Sequence, residues 1–220
     1  MRGTVISILL LAGFTAFAQP DFPVKYYPAK DTHKPIVFYI SGDGGWNNFS
    51  TKLASTINAN GFRVASLNAR DYFWNKKTAE QTALDITNNL QKEYGNLQNE
   101  KIIFIGYSFG ADVLPFIINQ LQPGIREKIS GLLLLAPSSS TDFEIHVSDI
   151  LGFSNSRKLQ VAEAINALQI QKTVAVFGAD DKNFPLQSIH LKNFTAISLP
   201  GGHHFEGNTD ELAQIMFTNF

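Results

Sequence analysis

Short, fully apolar runs alternate with longer amphipathic stretches along most of the chain. Residues 34–40 (KPIVFYI) form a β-branched and aromatic run that ends in Ser41-Gly42-Asp43-Gly44-Gly45, the pattern of a buried strand feeding a tight loop. A helix is predicted from about residue 48 to 60, closed by Gly61, and residues 62–67 (FRVASL) return as a strand, completing a βαβ unit. Ala79, Ala83, Ile86, Leu90 and Tyr94 recur three or four residues apart, so 78–94 reads as an amphipathic helix. Residues 101–106 (KIIFIG) are a third buried strand, joined almost without a loop to a helix over 109–121. Pro115 removes a backbone donor inside that helix and predicts a kink. Further strands over 131–136, 173–177 and 195–199 and a helix over 210–217 follow. Strands alternating with helices imply an α/β architecture, a mainly parallel sheet covered on both faces. Residues 137–159 have no clear period and are read as an excursion over the active site.

The first eighteen residues follow a different pattern. Arg2 gives a minimal positive start, an apolar run covers residues 5–14, and Ala16-Phe17-Ala18 places small residues at both cleavage-defining positions, so 1–18 is read as a signal peptide cut after Ala18. The apolar stretch is shorter than the roughly 20 residues of a membrane span. Residues 19–220 are then one exported domain, with no transmembrane span after cleavage. A chain of 220 residues with 44% apolar side chains is long enough to bury a full core, and eighteen Phe predict an aromatic one. There is no Cys, which excludes a disulfide, a cysteine-linked lipid and a thiol nucleophile. The formal charge of −1, one unit more negative once Arg2 is lost, argues against nucleic acid as a partner. It also supplies no basic patch for stable attachment to an anionic membrane, so a lipid substrate would be met transiently.

The chemistry is concentrated at strand ends. Gly106-Tyr107-Ser108-Phe109-Gly110 matches GxSxG between a strand and a helix, where small flanking residues permit the sharp turn that lifts a serine oxygen out of the sheet. Ser108 is the candidate nucleophile, and such a serine needs a base to take its proton and an acid to orient the base. Phe177-Gly178-Ala179-Asp180-Asp181 follows a strand. Asp181 is preferred as the acid, with Asp180 open as the alternative on a slightly shorter turn. Gly201-Gly202-His203-His204 follows the next strand, with His203 as the base and His204 beside it, under the loop or in the substrate cleft. His33, His146 and His190 are read as ordinary surface or satisfied residues. The oxyanion donors are expected to be the N–H groups of Phe109 and, in the 41–46 loop, of Asp43. That glycine-rich loop lacks the Lys-Ser/Thr ending of a phosphate-binding loop and the spacing of a dinucleotide fingerprint. Two adjacent His without a partnering carboxylate motif do not make a metal site. No metal and no cofactor are expected.

Five segments together resemble the bacterial virulence protein family AcvB/VirJ: Gly42-Asp43-Gly44-Gly45-Trp46, Tyr72-Phe73-Trp74, the 106–115 stretch GYSFGADVLP, Phe143-Glu144-Ile145-His146-Val147 and Gly201-Gly202-His203-His204-Phe205. The resemblance implies an α/β-hydrolase fold in the short, single-domain form of the family and export to the periplasm. It also implies hydrolysis of aminoacyl-phosphatidylglycerol, the lysyl form especially, and an association with virulence and type IV secretion, which leaves room for an envelope or secretion partner. For a lysyl substrate, the Asp43 carboxylate and the aromatic faces of Trp46, Tyr72 and Trp74 are candidate contacts to the ammonium groups, with core filling as the other reading of the aromatics. Asp112, one helical turn after Ser108, is assigned a structural role.

Overall fold

The computed structural model describes residues 22–30, 33–145 and 157–220. The expected signal peptide, and the part of the 137–159 excursion that includes His146 and Val147, lie outside the described residues. The strands and helices are β1 (Val24–Tyr27), β2 (Ile36–Ile40), α1 (Asn48–Ala59), β3 (Arg63–Leu67), α2 (Ala69–Tyr72), α3 (Ala79–Tyr94), β4 (Ile102–Tyr107), α4 (Phe109–Gln120), α5 (Pro123–Arg126), β5 (Ile129–Leu135), β6 (Ser140–Thr141), β7 (Leu159–Gln160), α6 (Val161–Asn166), β8 (Thr173–Gly178), β9 (Phe194–Leu199) and α7 (Thr209–Asn219). The predicted strands and longer helices are all present, with ends shifted by one or two residues. The 131–136 strand runs instead from Ile129 to Leu135.

Seven strands form one sheet in the order β1-β3-β2-β4-β5-β8-β9, parallel throughout except for β1, which runs antiparallel along β3. The strands alternate their side chains between two apolar layers. Ile36, Phe38 and Ile40 of β2 join Phe104 of β4 and Leu132 and Leu134 of β5 on the face covered by α3, α4 and α6. Val37, Tyr39, Ile103, Ile105 and Leu133 point the other way, onto Leu53 and Ile57 of α1 and Leu212 and Met216 of α7. Burial on both faces explains why β2, β3, β4 and β8 are buried along their whole length and read as unbroken runs rather than alternating ones.

Local signals start the helices at the sequence positions expected. The Asn47 side chain accepts from the Ser50 N–H at α1, and the Thr78 side chain accepts from the Gln81 N–H at α3. Pro115 lies within α4, which is assigned as one continuous helix from Phe109 to Gln120 and is buried along most of its length.

The strand order places the functional loops. From β2 the chain crosses outward to β3, then returns past β2 to β4 on its other side, so the direction of winding reverses between β2 and β4. Ile40, the last residue of β2, is in register with Gly106 near the end of β4. In open α/β sheets the crevice at such a switch point, beyond the carboxyl ends of the strands, is where ligands are taken up.

Two glycines let α4 cross this point closely. A Cβ at Gly106 would collide with the backbone of Gly110 and Ala111, and one at Gly110 would collide with the backbone carbonyls of Ile40 and Ser41. Neither neighbour is a flexible side-chain end that could swing aside. Gly110→Ala is therefore expected to destabilise the fold by about 1–3 kcal/mol or more. Gly124→Ala, whose new methyl meets open space, is expected to be neutral or stabilising by up to about 1 kcal/mol. Denaturant unfolding of both variants checks the contrast, and equal effects would contradict it.

Candidate active site

Ser108 sits at the junction of β4 and α4 with φ 51° and ψ −118°, a conformation that costs a non-glycine residue about 1–3 kcal/mol. Backbone bonds hold it there. Its N–H donates to the Leu135 carbonyl at 2.8 Å, and its carbonyl accepts from the Asp112 N–H at 3.0 Å. Ser108 occupies the N-cap of α4, yet its side chain makes no capping bond. The hydroxyl faces His203 instead, with Oγ 2.8 Å from Nε2.

The other imidazole nitrogen, Nδ1, is 2.7 Å from Asp181 Oδ2. A carboxylate can only accept, so Nδ1 carries the proton of the neutral ring. Nε2 is thereby left as an acceptor for the serine hydroxyl. The structure thus brings Ser108, His203 and Asp181 into one hydrogen-bonded row. The two acidic neighbours have different surroundings. The Asp181 side chain is largely buried in this row, whereas Asp180 is exposed and contributes its backbone N–H to the Gly201 carbonyl at 3.1 Å, tying the acid turn to the histidine loop. Gly178 permits that approach, since a Cβ there would collide with the Gly202 carbonyl.

The expected oxyanion donors flank the serine. Gly42 packs against Tyr107 and Ser108, with the position of an added Cβ 3.4 Å from Ser108 Cβ, which brings the 41–46 loop alongside Ser108. Asp43 follows it, and the Gly45 N–H closes the turn onto the Gly42 carbonyl at 2.9 Å. Among the described residues, neither the Asp43 nor the Phe109 N–H has a hydrogen-bond partner. The Phe109 ring is buried against Phe73.

The aromatic candidates separate into two groups. Trp46 and Trp74 are the exposed ones, at 37% and 47%, and the Trp46 indole N–H donates to Ser66 Oγ at 3.2 Å. Tyr72 is a core residue. Its ring packs edge-on against Phe22 and Phe73, its hydroxyl donates to Asp85 Oδ2 at 2.5 Å, and it walls a separate surface cleft of about 610 Å³ with residues of α3. These contacts are those of the core-filling alternative, because α2 turns the side chain inward. His204 is exposed and meets Tyr107, its Nδ1 2.5 Å from the phenol oxygen. That pairing could not be read from sequence, where Tyr107 is a variable position of GxSxG.

Asp112 is buried, and its Oδ1 accepts from the Ser138 N–H at 2.5 Å, joining α4 to the loop after β5. Burial pushes its carboxyl up to about 8, aided by the charge of Asp43 and opposed by the Ser138 hydrogen bonds and Arg157. Among the described residues no group of three or more His, Asp or Glu is placed to hold a metal ion, and no helix is long and apolar enough to cross a membrane.

The model of the family described as bacterial virulence protein (VirJ) matches residues 34–220. No curated protein matches the chain in sequence. Among solved structures, MenH from S. aureus superposes with a TM-score of 0.65 at 13% identity over 89% of this chain and 96% of that one. The thioesterase domain from the curacin biosynthetic pathway gives 0.63 at 15% identity over 89% and 94%. Est1E from Butyrivibrio proteoclasticus gives 0.60 at 16% over 89% and 93%. The fold is that of the α/β-hydrolases.

Asp112 generates a pH-dependent expectation. An unfolded carboxyl ionises near 3.8 and the folded one near 8, so between those values the native state holds a proton that the unfolded state releases. The associated stability is present below about pH 4 and is lost as pH rises to about 8. Asp112→Asn keeps an acceptor for Ser138 without the titration. The melting temperature of the parent relative to this variant is expected to fall across that window and level off above it; a difference independent of pH would contradict the assignment.

Proposed function

The chain belongs to the VirJ family of bacterial virulence proteins, and on that premise we propose that it is an exported, periplasmic serine hydrolase that cleaves the aminoacyl ester of aminoacyl-phosphatidylglycerol, with the lysyl form favoured. The observation that carries the hydrolase reading is the row Ser108 Oγ–His203 Nε2 and His203 Nδ1–Asp181 Oδ2, at 2.8 and 2.7 Å. The aminoacyl lipid and the periplasmic location come from the family resemblance and the leader-like sequence at residues 1–18.

In this mechanism the Ser108 oxygen attacks the ester carbonyl while His203 Nε2 takes its proton, and Asp181 stabilises the resulting imidazolium without itself becoming protonated. The N–H groups of Phe109 and Asp43 receive the charge that develops on the carbonyl oxygen. Collapse breaks the bond to the glycerol oxygen, which leaves with the proton from His203, and the aminoacyl group remains on Ser108. Water then attacks that ester, gives a proton to His203, and releases the amino acid as the serine recovers its own. The exposed faces of Trp46 and Trp74 and the Asp43 carboxylate are the groups suited to a cationic head group.

A second reading, an esterase or thioesterase for small soluble substrates, is favoured by the fold likeness to the curacin thioesterase domain and Est1E. Amino-acid release from vesicles containing lysyl- or alanyl-phosphatidylglycerol separates the two. Release by the parent and not by Ser108→Ala is expected; rapid turnover of short soluble esters without lipid hydrolysis would transfer the case to the second reading. Asp43→Asn is expected to narrow the preference for lysyl over alanyl lipid, and an unchanged preference would remove Asp43 as the ammonium contact. Asp181→Asn is expected to lower kcat by about a thousandfold or more, with Asp180→Asn near the parent value. The reverse pattern would reassign the acid.

A further inference from the structure

The turn that carries His203 is strained. After Gly201 at φ +90° the chain passes through His203 and His204 and then places two successive non-glycine residues, Phe205 and Glu206, at φ 50°. Each such residue costs about 1–3 kcal/mol and persists only where its surroundings over-determine it. Part of the restraint is backbone bonding, from the Phe205 N–H to the Gly202 carbonyl at 3.0 Å and from the Gly207 N–H to the His204 carbonyl at 2.9 Å. Part is the Phe205 side chain, which is 1% exposed and belongs to the same apolar layer as Tyr107. These contacts close the turn around the two histidines and hold its far end. Its near side, where His203 must reach both Asp181 and Ser108, is tied to the acid turn by the Asp180 N–H on the Gly201 carbonyl, and it has a further support.

That support is Tyr107. Its side chain is 3% exposed, its ring lies 4.4 Å from that of Phe49, and Gly42 sits against it, where a Cβ would fall 3.2 Å from the ring. The ring is therefore held on two sides and presents its hydroxyl at a fixed point beneath the turn. From there Oη is 2.5 Å from His204 Nδ1 and 3.5 Å from the His203 carbonyl. Burial, with the charge of Asp43 adding to it, pushes the phenol up, so the hydroxyl keeps its proton. The hydroxyl can donate to the imidazole nitrogen, or accept from it and donate to the carbonyl, according to the His204 tautomer; the imidazole nitrogen is the nearer partner. The exposed His204 ring thus has a task that needs no contact with the reacting atoms.

We propose that Tyr107 is a positioning residue for His203: by its hydrogen bond to His204 it anchors the strained turn and holds the His203 ring between Asp181 and Ser108. The pair acts through backbone placement, since His203 and His204 are adjacent and share one peptide unit. Tyr107 directly precedes Ser108, so the bond also ties the base-bearing turn to the strand end that bears the nucleophile. Displacement of a reacting group by about 1 Å costs on the order of a hundredfold in rate. This inference rests on the reading of Ser108 as a nucleophile activated by His203, and its test must be able to fail separately from that reading.

The test is the second-order rate of covalent labelling of the purified protein by a fluorophosphonate, a probe that needs an activated serine but no knowledge of the natural substrate. The parent is expected to label and Ser108→Ala not to. Tyr107→Phe and His204→Ala are each expected to label between about ten- and a hundredfold more slowly at temperatures well below their melting points. The double variant is expected to be no slower than the slower single one, as two ends of one interaction require. His204→Gln, which restores an acceptor, is expected to recover most of the rate. Labelling of Tyr107→Phe and His204→Ala at the parent rate would overturn the positioning role and leave the nucleophile reading intact. Multiplying losses in the double variant, or no recovery with Gln, would likewise overturn it. A parent that does not label would remove the nucleophile reading and the positioning role together. His204 is exposed, so its variants keep the test open even where Tyr107→Phe fails to fold.

Discussion

The close crossing of α4 over the ends of β2 and β4 is the constraint on which the site depends. At Gly106 and Gly110 there is no room for a side-chain carbon, because the opposing atoms are main chain. This compression allows the chain to reverse within one residue, and that residue is Ser108, held at a positive φ by bonds to Leu135 and Asp112. The strain is local, and it is balanced by the burial of α4 between the sheet and the helices around it. A looser crossing would permit an ordinary turn and would leave the hydroxyl free to cap its own helix, as serine at an N-cap commonly does.

The remaining loops converge on that point because the sheet is wound outward from it. The loop after β2 approaches through Gly42, and the turns after β8 and β9 lie against each other through Gly178, with Asp180 giving its N–H to Gly201. Asp181 and His203 therefore follow neighbouring parallel strands, while Ser108 stands two strands away from Asp181. The rigid, largely apolar sheet fixes the spacing, and Ser108, Asp181 and His203 stand beyond the ends of its strands. Such a division lets a solvent-facing row of donors and acceptors be held by a core that contributes no chemistry of its own.

The main elements were legible because their signals are local. Buried parallel strands read as apolar runs, α3 shows its period, and GYSFG stands between a strand and a helix. What escaped notice depended on contacts between distant residues. Strand β1 is short, only partly buried, and is defined by pairing with β3. Helix α6 has six residues, too few to display a period. The sequence leaves Asp180 and Asp181 as alternatives because both sit in one turn, and in the structure the histidine loop meets the backbone of the first and the side chain of the second. Tyr72 was grouped with the tryptophans by type, but α2 directs it into the core toward Asp85. The Tyr107–His204 bond joins residues 97 positions apart, and no spacing rule announces it.

Taken together, a strained serine, an imidazole held at both nitrogens and, among the described residues, two backbone N–H groups without a hydrogen-bond partner are the features on which the proposed attack on a carbonyl rests. The central claim is that the acyl group passes through Ser108. Rapid acid quench during turnover of an aminoacyl ester, followed by peptide mass analysis, tests this most directly. The account predicts an adduct of aminoacyl mass on the peptide containing Ser108, and neither adduct nor turnover in Ser108→Ala. Undiminished turnover by that variant would contradict it.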